Sequence, residues 1–329
     1  MRLFIYFFIF CISIKLFADN SIDAKAICEH TKDLQFPAKH KASDDGAKLL
    51  KNCDSEDLYY GINQKRDFEK ARHCAFLELK SNEQRVFGGS SILMMIYANA
   101  YDVERNLDLA EKNACEIEGA PAEISGRLAH LEFLKSKKDQ TEVFDLCDDI
   151  TSGFMIGQCA RHIYRVEKVK RQNKLKVLRS AWTGVENNAF VILQKSSEHF
   201  SKLRSENEID LSGSARANFV ISELAMQEAD FIESIEKLEK KKAPKYSAKQ
   251  ASEEDRKMNL IFKQIDTIKE PSIWGTITPD QISETQKSWI NYRDAWIAFA
   301  KIKYPNYSSE SISAWFTKKR NHMLSSFTK

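Results

Sequence analysis

Glycine and proline are scarce in this sequence, with 11 glycines and 6 prolines among 329 residues. The alternation of β-branched and polar residues that is typical of half-buried strands is almost absent as well. Both absences argue against a fold that is built on strands and tight turns. We therefore predict an all-α fold.

Motifs of the common enzyme active sites are also missing. The chain has no Gly-x-Ser-x-Gly elbow, no phosphate-binding loop and no His-Glu-x-x-His motif. Its histidines are scattered, and no two cysteines have the Cys-x-x-Cys spacing of a redox or zinc site. We therefore predict no catalytic residue, no metal and no cofactor, and expect that the protein is not an enzyme. Acids in "EKNACEIE" (111–118) and "CDD" (147–149) leave open an enzyme that acts on cell-wall material, which would need a cleft with paired carboxylates.

Long apolar runs are missing except at the start of the sequence. Residues 1–18 read MRLFIYFFIFCISIKLFA, in which one basic residue precedes an apolar stretch and the small residue Ala18 stands last. This pattern is typical of a secretory signal peptide and is too short for a membrane span. We therefore predict cleavage near Ala18, export and a periplasmic location, with a retained membrane anchor as the alternative.

Neither sign of charge is in excess. The formal net charge is +3, and removal of residues 1–18, which carry Arg2 and Lys15, lowers it to +1. Such a balance argues against nucleic acid or an anionic surface as the main partner. The local exception is the segment 161–179, which contains eight basic residues and only one acid, Glu167. We interpret this segment as the solvated face of a helix, with a binding site for an anion as the alternative.

Six cysteines remain after residues 1–18 are removed, because Cys11 lies within them. An even number of cysteines in an exported chain predicts disulfides, although six cysteines allow fifteen connectivities. All six precede residue 160, which indicates two domains, at 19–145 and 146–329. We favour pairing between neighbours in the sequence, namely Cys28 with Cys53, Cys74 with Cys115, and Cys147 with Cys159.

Two segments of the N-terminal part follow one pattern. "YYGINQKRDFEKARHCA" (59–75) and "YANAYDVERNLDLAEKNAC" (97–115) each contain a Tyr, a short turn, a basic residue with Asp or Asn, and a helix with an alanine. A period just under forty residues is typical of helix–turn–helix repeats. The pattern resembles the SEL-one-like branch of tetratricopeptide-type repeats, which often have glycine where Ala98 and Ala100 stand here. This resemblance implies helical-repeat pairs, which the disulfides would staple together.

Apolar residues from Leu175 to Leu203 recur at alternating spacings of three and four. This spacing predicts one helix of about 45 residues, with His199 as a hydrogen-bonded core residue. A second run of the same kind, from Ala217 to Leu238, follows the turn "LSGSAR" (211–216) and completes an antiparallel hairpin. We therefore predict a bundle of long antiparallel helices for the C-terminal domain.

Three shorter helices are predicted beyond this hairpin. The first follows "SEED" (252–255) and ends near residue 269, and the last starts at "SSES" (308–311) and ends near residue 325. Between them, the capping box "TPDQ" (278–281) starts a helix that ends before Pro305.

One stripe of this middle helix combines large apolar and polar side chains. Its members are Ile282, Gln286, Trp289, Arg293, Trp296 and Ala300. We expect the two tryptophans to be buried against the long hairpin. A buried Arg293 needs a carboxylate, because an unpaired buried charge is prohibitive. We predict an Arg293–Glu228 pair, with Glu186 as the alternative partner.

The C-terminal segment also matches a family pattern, a Gln, then Trp-x-x-Tyr-Arg-Asp, then an Arg shortly before a Leu. "ITPDQISETQKSWINYRDAWIAFAKIKYP" and "SAWFTKKRNHML" supply its residues, which are Gln286, Trp289, Tyr292, Arg293, Asp294, Arg320 and Leu324. The segment resembles the lysozyme inhibitor LprI-like N-terminal domain, a family of small exported helical modules. The resemblance implies that these seven residues are structural or contact a partner. Many members have a cysteine after Tyr-Arg-Asp that is paired with a later one, and both are missing here.

These observations predict an exported, non-enzymatic interaction module of the bacterial cell envelope, whose helical repeats and LprI-like domain bind a protein or another envelope partner. The family resemblance leaves a second interpretation open, which is inhibition of lysozyme or a related cell-wall muramidase. Host lysozymes are typically cationic, so an inhibitor gains from an acidic contact surface. A net charge of +1 and the basic segment 161–179 do not favour such a surface.

Overall fold

The computed structural model describes residues 22–81, 85–137, 141–268 and 271–328. Within these ranges the chain forms thirteen α-helices and three short 3₁₀-helices, and contains no strand. The prediction of an all-α fold is therefore confirmed. The predicted signal peptide lies outside the described residues. None of the helices described is both long enough and apolar enough to cross a membrane.

Seven α-helices make up the N-terminal part of the structure. They are α1 (Ala24–Thr31), α2 (Asp44–Leu49), α3 (Ser55–Tyr60), α4 (Phe68–Ser81), α5 (Gly89–Asn99), α6 (Leu107–Cys115) and α7 (Pro121–Ser136). Six longer helices follow. They are α8 (Gly153–Arg179), α9 (Gly184–Asn207), α10 (Arg216–Glu239), α11 (Ala248–Thr267), α12 (Pro279–Lys303) and α13 (Ser309–Leu324).

The buried side chains form two hydrophobic clusters. The first runs from Leu58 to Cys159 and the second from Trp182 to Phe327. Met155, in the first turn of α8, still belongs to the first cluster. The division between the clusters therefore falls within α8, whereas the domain boundary predicted from the sequence lies ahead of this helix, after residue 145.

Three disulfides staple the first cluster, and only one of them joins the predicted partners. Cys147 pairs with Cys159, as predicted. The other two predicted pairs are wrong, because the structure joins Cys28 to Cys115 and Cys53 to Cys74. The cause is the packing of the helices. Cys28 lies on α1, which packs against the end of α6, and Cys53 precedes α3, which packs against α4.

The two similar N-terminal segments fold into turns with the same backbone hydrogen bonds. The N–H of Ile62 donates to the carbonyl of Asp57 over 2.9 Å, and Tyr101, 39 positions later, donates to Ile96 over 3.1 Å. The residue ahead of each donor, Gly61 or Ala100, has a positive φ, of 74° and 57° respectively. A left-handed conformation favours glycine, which explains why the repeats that this segment resembles often have glycine at the position of Ala100.

The predicted helix of about 45 residues is two helices in the structure. Helix α8 ends at Arg179, and α9 begins at Gly184 with Thr183 as its N-cap. The Thr183 hydroxyl accepts the N–H of Glu186, whose carboxylate accepts the N–H of Thr183 in return. This capping box starts a new helix and interrupts the regular spacing that the sequence suggested.

The break also changes which side of α9 is buried. Phe190, Leu193 and Phe200 face the second cluster. His199 is exposed, so its prediction as a core residue is wrong. Ile192, which belongs to the predicted run of apolar residues from Leu175 to Leu203, is 65% exposed. The buried stripe of α9 is thus one position away from the predicted one.

The remaining helices complete the bundle of the C-terminal part. Helices α9 and α10 form the predicted hairpin, and α10 also packs against α8. Helix α12 packs along α9, while α13 packs against both α11 and α12. Helix α11 begins earlier than predicted, because Ser247 and Gln250 form its capping box. Helix α12 begins at Pro279 and ends at Lys303, as its capping box and Pro305 predicted.

Candidate functional site

Most of the family-pattern residues lie inside the second cluster. Five of the seven are buried, namely Gln286, Trp289, Tyr292, Arg320 and Leu324. Helix α12 supplies the first three and α13 the other two. Trp296, one turn after Tyr292, is fully buried, and its ring stacks on that of Phe316 with 4.5 Å between the centroids. These residues hold α12 and α13 together rather than forming a contact surface.

Arg320 is the buried arginine of this region. Its guanidinium donates two hydrogen bonds to the carboxylate of Glu208, over 2.7 and 2.5 Å, and neither side chain has any exposed area. Its Nε donates to Oε1 of Gln286 over 2.9 Å. Glu208 also accepts a hydrogen bond from Arg204, which pairs with Glu223 over 2.5 Å. The buried charges are therefore balanced, which a stable buried ion pair requires.

Arg293 does not pair with Glu228, so this prediction is wrong. Its guanidinium donates to Asp294 over 3.0 and 3.1 Å, and lies 5.1 Å from the centre of the Trp289 ring. Arg293 lies at the edge of the buried face of α12, where 20% of its side chain is exposed. Tyr292 rather than Arg293 turns into the cluster, where its ring stacks on Phe200 at 5.3 Å.

The predicted partners of Arg293 are engaged elsewhere. Glu228 accepts hydrogen bonds from the Tyr164 hydroxyl and, over 2.9 Å, from Arg171, because α10 faces α8 at this level. Glu186, the alternative partner, forms an ion pair with Lys303 over 3.1 Å. Neither carboxylate is therefore left for Arg293.

Acids of neighbouring helices neutralise part of the basic segment 161–179. Arg165 donates to Glu56 and, over 2.5 Å, to Asp57, both on α3. On the other side of α8, Arg171 pairs with Glu228 and Lys174 pairs with Glu236 over 2.9 Å. These pairs account for several of the cations by packing between helices, without a bound anion.

A groove of about 790 Å³ opens in the N-terminal part, and we call it the acidic groove. It lies between the end of α4, the start of α5, the turn from α6 to α7 and the start of α8. Two apolar side chains in its lining are solvent-exposed, Phe154 by 64% and Leu79 by 40%. Glu116 and Glu118, in the turn after α6, are exposed beside them.

Two buried carboxylates fix the walls of the acidic groove. Glu78 accepts the backbone N–H groups of Ser55, over 3.0 Å, and Gly89, over 2.7 Å. Glu123 accepts those of Thr151, over 2.9 Å, and Ser152, over 2.6 Å. Burial by itself would raise the pKa of Glu123, but these backbone hydrogen bonds outweigh it and hold the pKa below the usual range. Glu123 therefore stays ionised at neutral pH.

The acidic groove carries a negative charge. Four glutamates contribute to its lining. Its basic side chain, Arg85, forms ion pairs with Asp54 over 2.7 Å and with one of the four, Glu78, over 3.8 Å. Such a surface attracts cationic groups. The described part of the chain contains no group of three His, Cys, Asp or Glu side chains that could hold a metal ion.

The sequence alone did not identify the acidic groove. Glu116 and Glu118 belong to "EKNACEIE", whose acids have the spacing of any solvated helix. Leu79 and Phe154 lie 75 positions apart, and only the fold brings both to the lining of one groove. The one local signal was Phe154 itself, a large apolar residue directly after Ser152 and Gly153, which start α8.

Comparison with known proteins adds no relative. No family model, no curated protein and no solved structure matches the chain.

Proposed function

We propose that the protein is an exported, non-enzymatic interaction module that binds a protein partner in the bacterial cell envelope. The observation that carries the proposal is the acidic groove, in which the exposed Phe154 and Leu79 stand beside the unburied acids Glu116 and Glu118. Large apolar side chains that are exposed next to charged ones are typical of protein-binding surfaces.

The compartment in this proposal rests on two observations. Three disulfides are typical of proteins that fold in an oxidising compartment. Residues 1–18 have the pattern of a secretory signal peptide, which favours the periplasm as that compartment.

The chemistry of the acidic groove defines the partner. A segment that presents one apolar side chain to Phe154 and Leu79, and a Lys or Arg to Glu116 and Glu118, would match both its shape and its charge. Opposite charges also accelerate association at low ionic strength. We therefore expect a cationic partner whose binding weakens as salt is added.

The family pattern has a different role in this proposal. The resemblance of this pattern to the LprI-like domain favours an exported helical module. The pattern residues themselves stabilise the fold instead of contacting a partner. Gln286 and Arg320 are satisfied by partners within the chain, and the tryptophans are buried. We propose that α12 and α13 stabilise the C-terminal bundle, while the N-terminal part makes the contact.

A pull-down from periplasmic extract tests the proposal. The variant Glu116→Gln/Glu118→Gln removes two exposed charges from the acidic groove, and Phe154→Gln removes its most exposed apolar group. The matched control, Glu206→Gln/Glu253→Gln, removes two charges from exposed positions on α9 and α11. We expect the wild type and the control to recover the same cationic partner and both groove variants to lose it. Failure of the wild type to recover a specific partner would contradict the proposal.

Inhibition of lysozyme or a related muramidase is the second candidate function. One observation favours it, since the acidic groove supplies the local acidic surface that a net charge of +1 does not suggest. The test is a muramidase assay with purified mature protein at increasing excess. Inhibition that is weakened by Glu116→Gln/Glu118→Gln would support this function, and an unchanged rate at large excess would exclude it.

A further inference from the structure

A second cavity, of about 720 Å³, lies in the N-terminal part and shares no lining residue with the acidic groove. It is bounded by the 3₁₀-helix Ala38–His40, by α4, by the end of α5 and by the turn before α6. Three cationic side chains line it, Lys39, Arg72 and Arg105. We call it the cationic cavity.

Arg72 is held at the cavity with part of its hydrogen-bonding capacity unused. It is only 5% exposed, and its Nη2 pairs with the carboxylate of Asp102 over 2.7 Å. Its Nε is buried and has no hydrogen-bond partner among the residues that the structure describes. A buried guanidinium N–H without an acceptor is unfavourable.

Arg105 repeats this arrangement from the other side. Its Nε donates to the carbonyl of Ala98 over 2.7 Å, which fixes the direction of the guanidinium. Its Nη2 is buried and likewise finds no acceptor within the described ranges. Arg72 on α4 and Arg105 in the turn before α6 thus bring two guanidinium groups to the lining of one cavity.

The cavity is electrostatically positive. Of its two acids, Asp102 is already paired with Arg72, and Glu104 is exposed. His40 also lines the cavity, and its Nδ1 lies 3.0 Å from the Tyr97 hydroxyl. Burial lowers the pKa of His40, and the charges of Arg72 and Lys39 lower it further.

The walls of the cavity are rigid. Tyr101 donates its N–H to Ile96 over 3.1 Å, and Asn106 donates to Tyr97 over 3.0 Å, so the turn between α5 and α6 is closed at both ends. The Arg72–Asp102 pair ties this turn to α4. A preformed site of this kind holds a ligand without a large cost in chain ordering.

We propose that the cationic cavity binds a small ligand through a carboxylate or phosphate group, which accepts hydrogen bonds from Arg72, Arg105 and Lys39. Planar guanidinium groups match the oxygen pairs of both anions, and the Lys39 ammonium adds a mobile positive charge at the rim. This site is independent of the acidic groove, so either can exist without the other.

Isothermal titration of the full exported chain with two probes tests the proposal. Inorganic phosphate represents the phosphate source and citrate the carboxylate source, both at constant ionic strength. Binding of either probe supports the site and identifies the preferred group. Binding of neither at millimolar concentration overturns the proposal.

Three variants localise the binding. Lys39→Gln changes an exposed side chain and leaves the fold intact, while Arg105→Gln removes the guanidinium that is held by Ala98. Arg161→Gln is the matched control on the exposed face of α8. We expect Lys39→Gln and Arg105→Gln each to bind the probe at least about tenfold more weakly, because each loses one charge-assisted contact. The control should bind it unchanged. Equal binding by all four proteins would overturn the proposal.

A second readout does not depend on these variants. A bound anion adds negative charge beside His40, so the pKa of His40, followed by NMR, should rise on addition of the bound probe. The other histidines serve as internal controls. A His40 pKa that does not change while a probe binds would place the probe elsewhere and overturn the proposal.

Discussion

Arg320 on α13 and Glu208, directly after α9, form a bidentate ion pair between two side chains without any exposed area. The pair crosses the second hydrophobic cluster and joins residues 112 positions apart. Because Gln286 of α12 also accepts from Arg320, three parts of the bundle meet at one guanidinium. Arg320 therefore links α13 both to α12 and to the end of α9.

Replacement of Arg320 should therefore destabilise the C-terminal bundle. In Arg320→Ala, Glu208 loses its bidentate partner inside the protein, and Arg204 is left to neutralise both Glu208 and Glu223. We expect a loss of about 3–5 kcal/mol in the free energy of unfolding, as for other buried pairs that lose one partner. Urea denaturation followed by tryptophan fluorescence measures this loss.

Arg293→Ala is the matched control, with the same chemical change on the neighbouring helix. Arg293 is partly exposed and pairs with Asp294, its neighbour in the sequence. Loss of this pair and of the contact with Trp289 should cost only about 1 kcal/mol. A larger loss for Arg293→Ala than for Arg320→Ala would refute this assignment of the buried arginine.

The sequence predicts helices that have local start and stop signals. The start and end of α12 were predicted closely, from the capping box at Thr278 and Gln281 and from Pro305. The prediction succeeded because a cap depends only on neighbouring residues. Long-range pairs had no such signal. The stripe on α12 indicated Arg293 as the buried charge. Its other five members are buried, but packing places Arg293 at the edge of the buried face and buries Tyr292 instead. Glu208 could not be found from the sequence, since nothing local connects it to Arg320.

We expect the removal of different disulfides in the N-terminal part to lower the stability of the fold by different amounts. A crosslink restricts the unfolded chain more when it closes a longer loop. The sequence separation is 87 for Cys28–Cys115 and 12 for Cys147–Cys159. We expect a loss of about 4–5 kcal/mol for Cys28→Ser/Cys115→Ser and about 3 kcal/mol for Cys147→Ser/Cys159→Ser.

Two measurements check this prediction. Thermal denaturation of each double variant gives the losses, and peptide mapping without reduction gives the connectivity. The map should contain a crosslink between the peptides of Cys28 and Cys115 and another between those of Cys53 and Cys74. Crosslinks between Cys28 and Cys53 would contradict the structure.

Because the pKa of Glu111, on α6, is raised, we expect the free energy of unfolding to fall as the pH rises. Its carboxyl is buried, and burial together with the neighbouring Glu132 raises its pKa from 4.5 to about 7, although Lys135 opposes the rise. Below pH 4.5 the group is protonated in both the folded and the unfolded chain, so its contribution is complete. As the pH rises from 4.5 through 7, the unfolded chain loses this proton first, and the contribution is lost.

Glu111→Gln keeps a neutral side chain at every pH and should remove this dependence. We expect the difference in unfolding free energy between variant and wild type to grow in favour of the variant by about 1–3 kcal/mol between pH 4 and pH 8. Denaturant titrations at several pH values measure it, with Glu253→Gln on the exposed face of α11 as the control. A difference that is constant over this range would show that Glu111 titrates normally.

For Glu123, on α7, we expect the free energy of unfolding to depend on pH in the opposite direction. Burial favours its neutral form, but the N–H groups of Thr151 and Ser152 bind the carboxylate and lower its pKa below 4.5. Its contribution is therefore present above pH 4.5 and is lost as the pH falls through the lowered pKa of the folded chain. Glu123→Gln should destabilise the chain by about 1–3 kcal/mol at pH 7, because a neutral amide is a weaker acceptor than a carboxylate. The gap between variant and wild type should close on acidification, and denaturant titrations at pH 7 and pH 3 measure both values. A gap of equal size at the two pH values would mean that the shape of the side chain, rather than its charge, holds the residues ahead of α8.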